Sequence, residues 1–123
     1  MGRIKETFSE LQKLNKKALI GYIVAGDPDL NSTARAMELM VNQGVDVIEL
    51  GVAFSDPMAE GPSIQRGYER ALINETSLEE VLELVKSFRE QDKKTPIILM
   101  GYTNPFQSMG SKVFSSKASA AAN

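Results

Sequence analysis

Apolar residues in this 123-residue chain recur at helical spacing, then in short unbroken runs, then at helical spacing again. Ile4, Phe8 and Leu11 fall at i, i+4 and i+7, which predicts an opening helix that the polar Asn15-Lys16-Lys17 stretch ends. Ala18–Val24 is a nearly continuous apolar run closed by Gly26-Asp27-Pro28, the pattern of a first strand buried on both faces. From Leu30 to Gln43 the apolar positions Leu30, Ala34, Met37, Met40 and Val41 predict a second helix, stopped by Gly44. Val45–Leu50 reads as a second strand, and Gly51 through Pro62, rich in Gly, Pro, Ser and Asp, as a long loop.

Beyond Pro62, the positions Ile64, Tyr68, Ala71 and Leu72 mark a short helix. Another begins at Ser77, with Glu80 in capping-box register and a stripe of Leu78, Val81, Leu82, Val85 and Phe88. Pro96–Met100 is a third strand, since proline is admitted only at the first position of a central strand. Residues 1–110 therefore form one run of β/α units. The weakly apolar segment 111–123 is expected to be either the start of a further helix or a disordered tail. Strands alternating with helices imply an α/β fold with parallel pairing. Periodicity leaves an open doubly wound sheet and a closed barrel both standing, but the chain is well short of the ~250 residues of a closed (β/α)₈ barrel.

Composition narrows the chemistry. The net charge is −2 with both signs interspersed, which disfavours a nucleic-acid surface. The chain contains no cysteine and no histidine, so disulfides, thiolate catalysis and the commonest metal ligand are excluded, and proton transfer falls to carboxylates, tyrosine or lysine. Neither a signal-peptide core nor a run approaching the ~20 apolar residues of a membrane helix is present, so a cytoplasmic protein is the expectation. Phosphate loops, dinucleotide fingerprints, zinc-protease helices and nucleophile elbows are all missing.

In either architecture the working face lies at the carboxyl ends of the strands. Asp27, then Glu49 with Asp56 and Glu60, then Tyr102 with Asn104 fall there. Glu49 ends a buried strand on the same face as Val45 and Val47, and a carboxylate in partly apolar surroundings suits a proton donor working near neutral pH. Read from position, it is equally a strand-end carboxylate bonded to a neighbouring loop. Glu60 reads as a solvated loop residue, Asp27 and Asp56 as turn residues before proline, Tyr22 and Tyr102 as core aromatics, and Asn104 as a turn former.

Taken together, Ala25-Gly26-Asp27-Pro28-Asp29, Val47-Ile48-Glu49-Leu50-Gly51, Phe54-Ser55-Asp56-Pro57, Ala59-Glu60-Gly61-Pro62 with Ile64-Gln65, and Leu99-Met100-Gly101-Tyr102 with Asn104-Pro105 resemble tryptophan synthase α subunits in order and spacing over almost the whole chain. The resemblance implies a partial (β/α)₈ TIM barrel, its first three β/α units preceded by an N-terminal helix. It implies the retro-aldol cleavage of indole-3-glycerol phosphate to indole and glyceraldehyde 3-phosphate, a lyase step of tryptophan biosynthesis. Glu49 would be the general acid/base and Glu60 the anion facing the indole nitrogen, where the family typically has aspartate. Tyr22, Ile64, Met100 and Tyr102 would line the indole pocket. Ala53, Asp56, Pro57 and Asn104 would face a β subunit in an α2β2 heterotetramer. The pyridoxal phosphate cofactor would belong to that partner, and this chain would hold none. Departures from the family pattern include Ala53 for proline and Gly21-Tyr22 for a Pro-Phe pair.

A second expectation is a non-catalytic half-barrel fragment that self-associates or docks on the β subunit, because a three-stranded parallel sheet cannot close and leaves unpaired strand edges. A Schiff-base barrel aldolase would need a lysine at a strand end, and none stands there.

Overall fold

The computed structural model describes residues 2–53, 61–101, 106–107 and 109–122. In chain order these form helix α1 (Arg3–Lys13), strand β1 (Ile20–Val24), helix α2 (Leu30–Asn42), strand β2 (Val47–Gly51), helices α3 (Pro62–Ile73) and α4 (Leu78–Arg89), strand β3 (Ile97–Met100) and helix α5 (Ser111–Ala122). The strands make one parallel sheet in the order β1-β2-β3. Tyr22 stands opposite Glu49, and Glu49 opposite Ile98.

Local chemistry sets the element ends. The Asp29 side chain accepts from the Ser32 N–H at 2.7 Å to cap α2, and these bonds hold its carboxyl below the usual aspartate range. At the other end of α2, Gly44 adopts φ +105°, a conformation that costs glycine little. The Val45 N–H then reaches the Met40 carbonyl and the Gly44 N–H that of Val41, the two bonds of a Schellman stop. α3 opens with Pro62 in its first turn, where a missing N–H costs nothing. The expected capping box of α4 is present: Ser77 Oγ accepts from the Glu80 N–H, and Glu80 Oε1 accepts from the Ser77 N–H. β1 and β2 each begin two residues later than their apolar runs, and β3 begins just after Pro96.

Alternation along the strands separates two faces. Ile23, Ile48, Leu50, Ile97 and Leu99 meet Met37 of α2 and Val81, Leu82 and Val85 of α4 in the main core, which Phe114 and Ala121 of α5 extend. Met37, Ile48 and Leu50 are fully buried there. The opposite face presents Ile20, Tyr22 and Val24 from β1, Val47, Glu49 and Gly51 from β2, and Ile98 and Met100 from β3. Among the described residues it is covered only in part. α3 packs Tyr68 and Ala71 against Val24 and Ala53, while Ile20 remains 49% and Ile98 39% exposed.

The expectation that the first strand is buried on both faces is thus corrected. Its residues run from exposed Ile20 through half-buried positions to buried Val24, because α2 covers one face and, among the described residues, α3 alone reaches the other. An apolar run reports hydrophobicity on both faces, whereas burial requires a second layer.

Two polar junctions hold the layers in place. Arg3 of α1 donates to the carbonyls of Lys93 and Ala122, both at 2.7 Å, bridging the amino-terminal helix to the turn after α4 and to α5. In that turn the Asp92 carboxylate accepts from the N–H groups of Lys94 (2.8 Å) and Thr95 (2.9 Å) and from the Thr95 hydroxyl (2.5 Å). Buried Arg89 donates to the carbonyls of Asp92 and Thr95. Its burial pushes the guanidinium below the usual arginine range.

Candidate active site

Glu49 is the one carboxylate that the described strands place on the open face of the sheet. It sits on the central strand, half-buried, between the β1 row carrying Tyr22 and the β3 row carrying Ile98. Its strand neighbours Ile48 and Leu50 point the other way into the core. Two residues on and on the same face, Gly51 ends β2 and pairs with Val24 on one side and Met100 on the other. Glu49, Tyr22 and Met100 therefore share one face near the carboxyl ends of the strands; alternation predicts the face of Glu49, whereas Tyr22 reads from position as a core aromatic.

Tyr22 and Ile64 both line a cavity of about 280 Å³ at the edge of β1, with Ile23, Val24, Asp27, Thr33 and Gly67 among its other walls. α3 is brought there by close packing and polar pairing: a Cβ at Gly67 would lie 3.0 Å from Asp27 Oδ2 and 3.2 Å from Val24 Cγ2. Arg70 makes a two-pronged contact with Asp27, Nε to Oδ1 at 2.6 Å and Nη2 to Oδ2 at 3.0 Å. This pairing holds the guanidinium above its usual range. The Asn74 side chain donates to the Pro28 carbonyl, across the cis Asp27–Pro28 bond. Asp27, read from sequence as a turn residue, is thus also the acceptor that ties the first βα loop to α3.

One residue that sequence reasoning passed over belongs with this group. Tyr68 of α3 is fully buried, and its hydroxyl lies 2.7 Å from the Tyr22 hydroxyl. Its place on an apolar helical stripe marked it as core, and no local signal announces a hydroxyl partner 46 residues away. Ala53, expected at a partner interface, is 9% exposed and packs with Val24, Tyr68 and Ala71. Glu60, Tyr102, Asp56, Pro57 and Asn104 lie outside the described residues.

Among the described residues no group of three or more His, Cys, Asp or Glu is placed to hold a metal ion, and no helix is long and apolar enough to cross a membrane. Among the described residues the strand-end chemistry is that of the Glu49 carboxylate, with the bonded Tyr22 and Tyr68 hydroxyls and apolar side chains on the same side of the sheet.

Residues 8–122 match the family model described as tryptophan synthase alpha chain. The chain belongs to that family. Among curated relatives, the tryptophan synthase alpha chain of Burkholderia cenocepacia is 54% identical over 121 residues, which is 98% of this chain and 45% of that protein. The chain spans about half the length of the curated relatives it matches. The crystal structure of tryptophan synthase subunit alpha from Legionella pneumophila superposes with a TM-score of 0.96 at 48% identity, covering 99% of this chain and 47% of the other. The α subunit fold seen in a structure of the tryptophan synthase α2β2 complex from Pyrococcus furiosus superposes with a TM-score of 0.78 at 43% identity, over 85% of this chain and 44% of that one. These likenesses decide what periodicity left open: the three parallel units are a section of a TIM barrel, and the open face bearing Glu49 is the one that looks into the barrel.

Proposed function

We propose that this chain contributes the acid/base portion of the tryptophan synthase alpha reaction, the cleavage of indole-3-glycerol phosphate to indole and glyceraldehyde 3-phosphate. The observation that carries the reading is the Glu49 carboxylate at the carboxyl end of the central strand, on the barrel-facing side, in register with Tyr22. As a general acid it protonates the indole ring carbon that bears the glycerol phosphate chain. The Glu49 carboxylate left by that transfer takes the hydroxyl proton from the adjacent side-chain carbon, the carbon–carbon bond breaks to give the aldehyde, and its electron pair returns to the ring. Glu60 is the proposed anion for the ring nitrogen, where positive charge develops in the transition state. Tyr22, Ile64, Met100 and Tyr102 form the walls of the indole site.

The proposed partner is a β subunit carrying pyridoxal phosphate, which takes up the indole. Support comes from the α2β2 assembly of the Pyrococcus furiosus relative, and Asp56, Pro57 and Asn104 are the proposed contacts; Ala53, buried against Val24, Tyr68 and Ala71, is not among them.

The test is indole release from indole-3-glycerol phosphate, with and without the β subunit. Replacing a proton-transfer group typically costs about 10²–10⁴ in rate, so Glu49→Gln should lower release by at least about 100-fold. An unchanged rate removes Glu49 from the mechanism. Absence of release by the unaltered chain, with and without the β subunit, overturns the lyase reading.

A further inference from the structure

The barrel-facing side has an aromatic wall fixed from behind. Gly51 lacks a side chain, and the space a Cβ would fill is taken by the Tyr22 hydroxyl, with Tyr22 Cζ 2.9 Å and Tyr68 Cε1 3.3 Å from that point. The Cα of Tyr22 is paired with Glu49, so its ring leans along the sheet from the Glu49 row to the Gly51 row. A half-buried tyrosine on an open sheet face has several rotamers within reach. Here one is selected by the 2.7 Å bond to Tyr68, which is fully buried on a helix anchored by Gly67 packing and by the Arg70–Asp27 pair.

We infer that Tyr68 is a positioning residue for aromatic ligand binding: by holding the Tyr22 hydroxyl over Gly51, it fixes the Tyr22 ring as a wall for a planar heterocycle next to Glu49. The inference rests on the proposed indole site and adds a residue that touches no ligand itself. Ordering the wall before the ligand arrives removes a cost that binding would otherwise bear.

The probe is indole, titrated into the 123-residue chain. Because the chain contains no tryptophan, the fluorescence anisotropy of indole reports the ligand alone. Tyr68→Phe keeps the ring in the core and deletes only the hydroxyl. The expected result is binding weakened about five-fold, the worth of one ordinary hydrogen bond. In the Tyr22→Phe/Tyr68→Phe double variant the second substitution has no bond to Tyr22 left to break, so affinity should lie within about two-fold of Tyr22→Phe alone. A purely structural role for Tyr68 would instead weaken the double variant about five-fold beyond Tyr22→Phe. Tyr68→Phe binding indole as tightly as the unaltered chain, or a double variant about five-fold weaker than Tyr22→Phe, overturns the inference while leaving the indole site standing. Failure of the unaltered chain to bind indole fails the underlying reading, and the positioning role falls with it.

Discussion

Replacing Asp92 with asparagine probes the junction that delivers β3 to the sheet. The carboxylate accepts three hydrogen bonds, from the N–H groups of Lys94 and Thr95 and from the Thr95 hydroxyl, at 2.5–2.9 Å. Asparagine is nearly isosteric and keeps an acceptor for the two N–H groups, but removes the charge that strengthens all three bonds. Charged bonds are worth ~1.5–3 kcal/mol and neutral ones ~0.5–1.5, so the loss is about 1 kcal/mol per bond before screening. Asp92 is only part-buried, and solvent screening brings the expected total to ~1–2 kcal/mol.

The pH dependence gives the charge its signature. Partial burial acts to raise the Asp92 pKa, but the bonds from Thr95 and Lys94 and the charge of Arg89 outweigh it, leaving the group below the ordinary 3.8. A carboxyl whose folded pKa is depressed stabilises fully above its unfolded value and loses that contribution as pH falls through the folded one. Urea unfolding followed by circular dichroism should therefore show Asp92→Asn less stable by ~1–2 kcal/mol from pH 5 to 8, with the gap closing below about pH 4. A gap of under about 0.3 kcal/mol at pH 7, or one that persists undiminished to pH 3, would refute the reasoning.

Two further outcomes are expected. Ser77→Ala removes the acceptor of the α4 capping box and should cost ~1 kcal/mol in chemical denaturation; a stability equal to that of the parent would show the cap to be idle. Gly51→Ala puts a methyl where the Tyr22 hydroxyl sits, and displacing that ring should weaken indole binding by about ten-fold, with overpacking costing ~1–3 kcal/mol of stability. Indole affinity unchanged by Gly51→Ala would mean that Tyr22 is not part of the indole wall.

The amino-acid sequence alone determined the order and type of the elements through β3, because helix stripes, caps and strand runs are set by residues within a turn or two of each other; the weakly apolar stretch that forms α5 read equally as a disordered tail. The Ser77–Glu80 box, the Leu78–Val85 stripe, the Gly44 stop and the entry of β3 behind Pro96 were all legible in this way. So was the placement of Glu49 opposite Ile48 and Leu50, since alternation along a strand needs no partner. Which apolar runs become buried was decided by tertiary structure: the first strand reads as two-sided core, yet Ile20 stays half-exposed where no described layer covers it. The site's polar ties were likewise invisible beforehand. Tyr22 meets Tyr68 across 46 residues and Asp27 meets Arg70 across 43, and such pairs form only when packing has brought α3 against β1. Local periodicity fixes which way a side chain points along its own element, and only the assembled layers fix what it meets.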